Sequence, residues 1–148
     1  MDIDFITDFS SGAFQITLGD NPQSVMGNRK LVNRFEITFL TALRQFVIDG
    51  RAVTDNYGGN APSFINKPQA TNDLQGITAS LNVASDQTVQ CILAEQQQKN
   101  IPDTERLISA ELVSVDVIGD TVSATIKINP VTVESYQDLI FNFPVITA

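Results

Sequence analysis

Val122, Ala124, Ile126 and Ile128 alternate with Thr121, Ser123, Thr125 and Lys127, a period of two that predicts a strand with one buried face. In the stretch before it, Val113, Val115 and Val117 alternate with Leu112, Ser114, Asp116 and Ile118. Gly119-Asp120 joins the two runs with the chemistry of a type II′ turn, so Leu107 to Asn129 is expected to be a β-hairpin. At the other end Asp2 and Asp4 alternate with Ile3 and Phe5, and "GAFQITLG" follows Ser10-Ser11-Gly12, which predicts a shorter hairpin.

The intervening chain changes period. Leu31, Phe35, Thr38, Phe39, Ala42, Leu43 and Phe46 recur at helical spacing, predicting three or four turns with Lys30, Arg34 and Thr41 on the opposite face. Val47 and Ile48 begin an extended exit. From about 50 to 70, Gly50, Gly58, Gly59, Pro62 and Pro68 rule out a continuous element and predict a long connector of the kind that a partner orders. Helical spacing returns with Leu74, Ile77, Leu81 and Ala84, capped by Thr71, and Ser85-Asp86 reads as a second start before Val89, Ile92, Leu93 and Gln96. Two short helices or one bent helix fit this pattern, and Pro102 stops it. The segment from 131 to 148 ends in an apolar, strand-like tail whose Pro144 cannot donate to a ladder and so belongs at an edge or in a partner-facing strand. The predicted fold is one α+β domain spanning 1–148, with a small antiparallel sheet built from the N-terminal and C-terminal hairpins and packed with two or three helices.

Composition narrows the chemistry. With 43% hydrophobic and 18% charged residues among 148, the chain has enough apolar material for a core. It has no histidine and a single cysteine, Cys91, which removes the commonest general base and metal ligand, every Ser/His or Cys/His pair, and any intrachain disulfide. No cofactor is expected. No apolar run approaches the roughly 18 residues that span a bilayer, and Met1-Asp2-Ile3-Asp4 is acidic where a signal peptide is basic, so a cytosolic chain is expected. A net charge of −8 argues against nucleic acid as a partner. The charge is divided: 28–51 carries five bases against two acids, and 101–148 carries seven acids against two bases. Such polarity suits a protein partner that reads two faces.

Candidate sites are few. Asp103, Glu105 and Glu111 offer carboxylates for an acid/base pair, but Asp103 and Glu105 fit an ion-paired turn beside Arg106 better. "TDNYGGN" lacks the spacing of a calcium loop, and Tyr57-Gly58-Gly59 lacks the lysine and flanking elements of a phosphate loop. Tyr57 is expected to be a buried anchor with Gly58 at positive φ, and Cys91 a reduced core thiol. Arg29, Arg34 and Arg44 form either a solvated face or a docking surface.

Taken in order, "ITFLTALRQF", "TDNYGG", the helical stretch, "DTERLISAELVSVDV" and "DTVSATIKI" resemble the small baseplate wedge, or sheath-initiator, family of contractile phage tails, tailocins and type VI secretion baseplates. Leu40 and Thr41 match the family's Leu-Thr-x-x-Gly-Glu, where Arg44-Gln45 replaces Gly-Glu. Asp55, Tyr57 and Gly58 match its Asp-Pro-x-Tyr-Gly turn with Asn56 in place of proline. Arg106 matches the arginine of Glu-Pro-Arg, with Thr104 and Glu105 before it. The resemblance implies a non-catalytic protein of the virion tail baseplate, assembled in the host cytoplasm and copied around a sixfold tube. Its implied partners are the sheath protein, other wedge proteins and the tail tube. On that reading Leu107 to Asn129 and the tail from Leu139 to Ile146, with Ile126, Ile128, Phe141 and Phe143, form a docking surface. Asp103, Glu105 and Arg106 are its collar, pairing with charged groups on the wedge scaffold. Another tail assembly or connector protein is the alternative, ahead of a small ligand-binding or enzymatic domain.

Overall fold

The computed structural model of the chain describes residues 2–3, 5–8, 15–18, 24–43, 45–54, 57–61, 68–69, 73–119, 121–134, 138–144 and 146–147. The fold is α+β. Strands β1 (Asp2–Ile3) and β4 (Ser24–Val25) pair antiparallel. Between them β2 (Phe5–Asp8) and β3 (Gln15–Leu18) form the expected N-terminal hairpin, with Phe5 opposite Leu18. This ribbon is a sheet of its own and does not extend the C-terminal sheet, as the sequence pattern had implied.

Helix α1 (Gly27–Phe39) buries Leu31, Val32, Phe35, Thr38 and Phe39 on one stripe. It stops earlier than the apolar spacing predicts, so Ala42, Leu43 and Phe46 lie outside it. The chain instead enters β5 (Gln45–Ile48), which pairs antiparallel with β6 (Arg51–Thr54). Asp49 and Gly50 turn the corner at φ 50° and 75°, the two successive positive values that a type I′ hairpin turn needs. Phe46, Val47 and Ile48 are strand-favouring residues, and here local preference and turn chemistry prevail over a continued helical period. The first residues of the expected connector are therefore regular structure.

Helix α2 (Leu74–Gln98) is a single element of 25 residues. Its N-cap is Asp73, which accepts from the Gly76 N–H at 3.0 Å, rather than Thr71, which lies outside the described residues. Ser85-Asp86 starts no second helix. Ile77, Leu81, Ala84, Ser85, Thr88, Ile92 and Gln96 form one buried stripe, while Leu74 is exposed. Thr88 donates its hydroxyl to the Ala84 carbonyl at 2.8 Å, which satisfies a buried oxygen without breaking the helix. The segment at Gly59 approaches the helix closely at this point: a Cβ on Gly59 would run into Thr88, Ala84 and Phe39.

Strands β8 (Leu107–Ile118) and β9 (Thr121–Pro130) form the expected hairpin, and β10 (Asp138–Pro144) adds on the other side in the order β10-β9-β8. The expected edge position of Pro144 is met: it stands opposite Thr121 at the end of β10. A short parallel pairing of β7 (Pro68–Gln69) with β11 (Ile146–Thr147) follows. Val122, Ala124, Ile126 and Ile128 are buried in a core shared with Leu31, Phe35 and Phe39 of α1 and Ile77, Leu81 and Ile92 of α2. Two bulges interrupt β8, between Leu107 and Ser109 and between Leu112 and Ser114. The second changes the phase of alternation, so Leu112, Val115 and Val117 pack on the core while Val113, expected beside Val115, is exposed.

Candidate functional site

Pro102 leads into a 3-10 turn, Asp103–Glu105, in which the Glu105 N–H donates to the Pro102 carbonyl at 2.9 Å. Side chains from both helices hold this turn. Arg34 donates Nη2–H to the Glu105 carbonyl at 2.8 Å, and Lys30 Nζ stands 3.0 Å from the Glu105 carboxylate. Asn28 donates Nδ2–H to the carbonyls of Thr104 at 2.6 Å and Thr132 at 2.8 Å. The Gln96 amide brackets Leu107, donating to its carbonyl at 3.1 Å and accepting its N–H at 2.6 Å.

The start of α1 is completed from the far end of the chain. Met26 at the N-cap offers no side-chain bond, so the first amides of the helix need acceptors from elsewhere. Glu134 accepts the Asn28 N–H at 3.0 Å, and its own N–H donates to Asn28 Oδ1 at 2.6 Å. A carboxylate at a helix N-terminus is also favoured by the helix dipole. Gly27 is required here: its φ is 63°, and a Cβ would collide with that carboxylate.

The other end of α1 is closed by the tyrosine turn. Gly59 N–H donates to the Thr38 carbonyl at 2.7 Å, and Asn60 N–H to the Thr41 carbonyl at 3.0 Å. The Thr38 carbonyl also accepts the Thr41 N–H at 3.1 Å, so these bonds tie the turn to the chain leaving α1. Gly58 takes the expected positive φ, 126°, and a Cβ there would also meet the Thr41 carbonyl. Tyr57 is not buried as expected: it is 44% exposed, and its hydroxyl lies 3.3 Å from Thr38 Oγ1.

Between α1 and the chain leaving α2 lies a cleft of about 400 Å³. Lys30, Asn33, Arg34 and Ile37 line one side. Tyr57, Glu95, Lys99 to Pro102 and Glu105 line the rest. Lys99 is paired with Glu95 at 2.6 Å, as Lys30 is with Glu105. Asn33 Nδ2 and Arg34 Nε are buried donors with no acceptor. Cys91 is half-buried on the neighbouring face of α2, 4.0 Å from the Gly58 carbonyl.

The structure thus brings Arg34, Tyr57 and Glu105 together at one cleft. Glu105 is buried and engaged by Lys30 within the chain, so it does not reach outward to a scaffold as the collar reading expects. Asp103 and Arg106 are exposed and pair with each other at 3.6 Å, an interaction worth roughly 0–1 kcal/mol. Ile126 and Ile128 are core residues and present no docking surface. Phe141 and Phe143 stand in register opposite Ala124 and Val122, in a strand paired within the chain. Arg44 and Asp55 lie outside the described residues.

Asn28, Asn33 and the capping role of Glu134 escaped the sequence reading. Asn28 carried a usable signal: it lies one heptad before Phe35 on the apolar stripe, where a polar side chain marks a buried amide with backbone partners. A second surface was also missed. The β5–β6 hairpin exposes Val47, Ile48 and Val53, and Asp49-Gly50 between two strand-like runs was its signal. Along β8, Ile108, Val113 and Ile118 are exposed as well. Among the described residues no helix is long and apolar enough to cross a membrane. No protein-family model, curated protein or solved structure matches the chain.

Proposed function

We propose that the chain is a non-catalytic component of a contractile-tail baseplate wedge that docks the first sheath ring and nucleates sheath assembly around the tube. The observation that carries this reading is the free flank of β8. That strand ends the sheet, with no strand beyond it among the described residues, and Ile118 at its tip is 75% exposed. From Ser114 to Ile118 it runs in unbroken register with β9, so five residues offer straight backbone to an incoming strand. Strand addition of this kind supplies affinity through main-chain hydrogen bonds and specificity through alternate side chains. The bulges near Ile108 and Val113 interrupt the strand on the near side of that stretch and limit indiscriminate pairing along its whole length.

Arg106 supports the same reading as a polar anchor. Its bond to Asp103 is long and solvated, so exchanging it for a partner carboxylate sacrifices little. Co-expression of the intact chain with its cognate sheath and wedge proteins, followed by pull-down, tests the proposal. Retention of the intact chain, with Ile118→Glu and Arg106→Glu each reducing retention by about tenfold or more, is the expected result. Failure of the folded, intact chain to be retained by either protein contradicts it.

A further inference from the structure

We propose that the cleft between α1 and the segment 99–105 is a recognition pocket for a carboxylate carried on an acidic peptide of a partner protein. It stands on the cleft itself and does not depend on the contractile-tail reading. Five charged side chains line the space, and four of them neutralise one another as the pairs Lys30–Glu105 and Lys99–Glu95. Arg34 is the remainder. Its Nη2 is committed to a neutral carbonyl, its Nε has no acceptor, and no carboxylate lies within ion-pair distance of it among the described residues.

The neighbouring Asn33 makes the second, independent observation. It is only 5% exposed, lines the same cleft, and its Nδ2 has no acceptor. A buried donor without a partner costs on the order of 1–3 kcal/mol, so two adjacent ones form a standing deficit that an arriving acceptor removes. Neither atom is reached by solvent in the closed wall. Both side chains line the cleft, so an acceptor seated there stands beside them.

The deficit selects the ligand. One uncompensated guanidinium matches a single negative charge, and a planar carboxylate fits the guanidinium fork and an adjacent amide together. A phosphate dianion would bring surplus charge against Glu95 and Glu105. The rest of the lining includes Ile37, Tyr57, Ile101 and Pro102, which suit an apolar side chain next to the acidic one. A free small anion would leave that strip in water, whereas a peptide covers it.

Nitrogen-15 NMR of the full chain, titrated with acetyl-Leu-Glu-Leu-amide, with its Gln counterpart and with inorganic phosphate, tests the assignment. The Arg34 Nε–H and Asn33 Nδ2 signals are expected to move saturably with the Glu peptide, at an affinity at least about tenfold above that for the Gln peptide. Arg34→Lys keeps the charge but loses the fork, and is expected to weaken that binding while the fold's amide dispersion persists. Equal binding of the two peptides, tighter binding of phosphate, or signals that stay still at millimolar peptide each overturn the proposal. Because the probe is a free peptide, these outcomes are independent of whether sheath or wedge proteins are retained in a pull-down.

Discussion

Gln96 is one side chain holding both polar groups of one buried residue, the N–H and the carbonyl of Leu107. Replacing it by Leu leaves both groups buried without a partner, and the expected loss is about 2–4 kcal/mol, read from the midpoint of urea unfolding. An unchanged midpoint would show that water takes over both bonds. Asn28 plays the same part at the other helix, tying Thr104, Thr132 and Glu134 to the start of α1. The positions of these amides were legible, since both sit on apolar stripes. Their partners were not, because Gln96 bonds to a residue beyond the helix end and Asn28 to residues 76 or more positions away.

At the level of elements, periodicity located both helices and both terminal hairpins, and it erred where two signals overlapped. The helical spacing of α1 runs on through Ala42, Leu43 and Phe46, but Asp49-Gly50 and its flanking runs draw that chain into β5 and β6. In α2 the polar pair Ser85-Asp86 resembles a break, yet the helix runs through it with Ser85 on the buried stripe. Neither the bulge at Val113 nor the docking of β10 on β9 had a local signature. The latter matters for any truncation: β10 pairs with β9 from Asp138↔Lys127 to Pro144↔Thr121. Deleting 138–148 is therefore expected to raise amide exchange in β9 as well as removing the tail, and β9 exchange equal to that of the full chain would contradict the pairing. Point changes on β8 test docking more cleanly than removal of the tail.

Across the whole molecule the division of charge turns partly inward. The basic segment around α1 and the acidic segment after 101 meet as Lys30 with Glu105, and Arg34 reaches the same residue's carbonyl. An asymmetry that in sequence suits an outside partner is thus spent in part on the fold, leaving Arg34 in the cleft and Asp103 and Arg106 at the surface. Arg34, Tyr57 and Glu105 stood out in the sequence, but their convergence did not, since it depends on α1 lying against a turn 71 residues away. Among the described residues, the β8 flank and the exposed β5–β6 hairpin are outward-facing features that remain for a partner.

Hydrogen exchange of the chain alone and in complex with its cognate sheath protein tests the docking claim most directly. Addition of a sheath strand to β8 predicts that amides within Ser114–Ile118 that lack a bond to β9 exchange freely in the isolated chain and become protected in the complex. Unchanged exchange across Ser114–Ile118 in a complex that demonstrably forms would contradict it and move the interface elsewhere on the molecule.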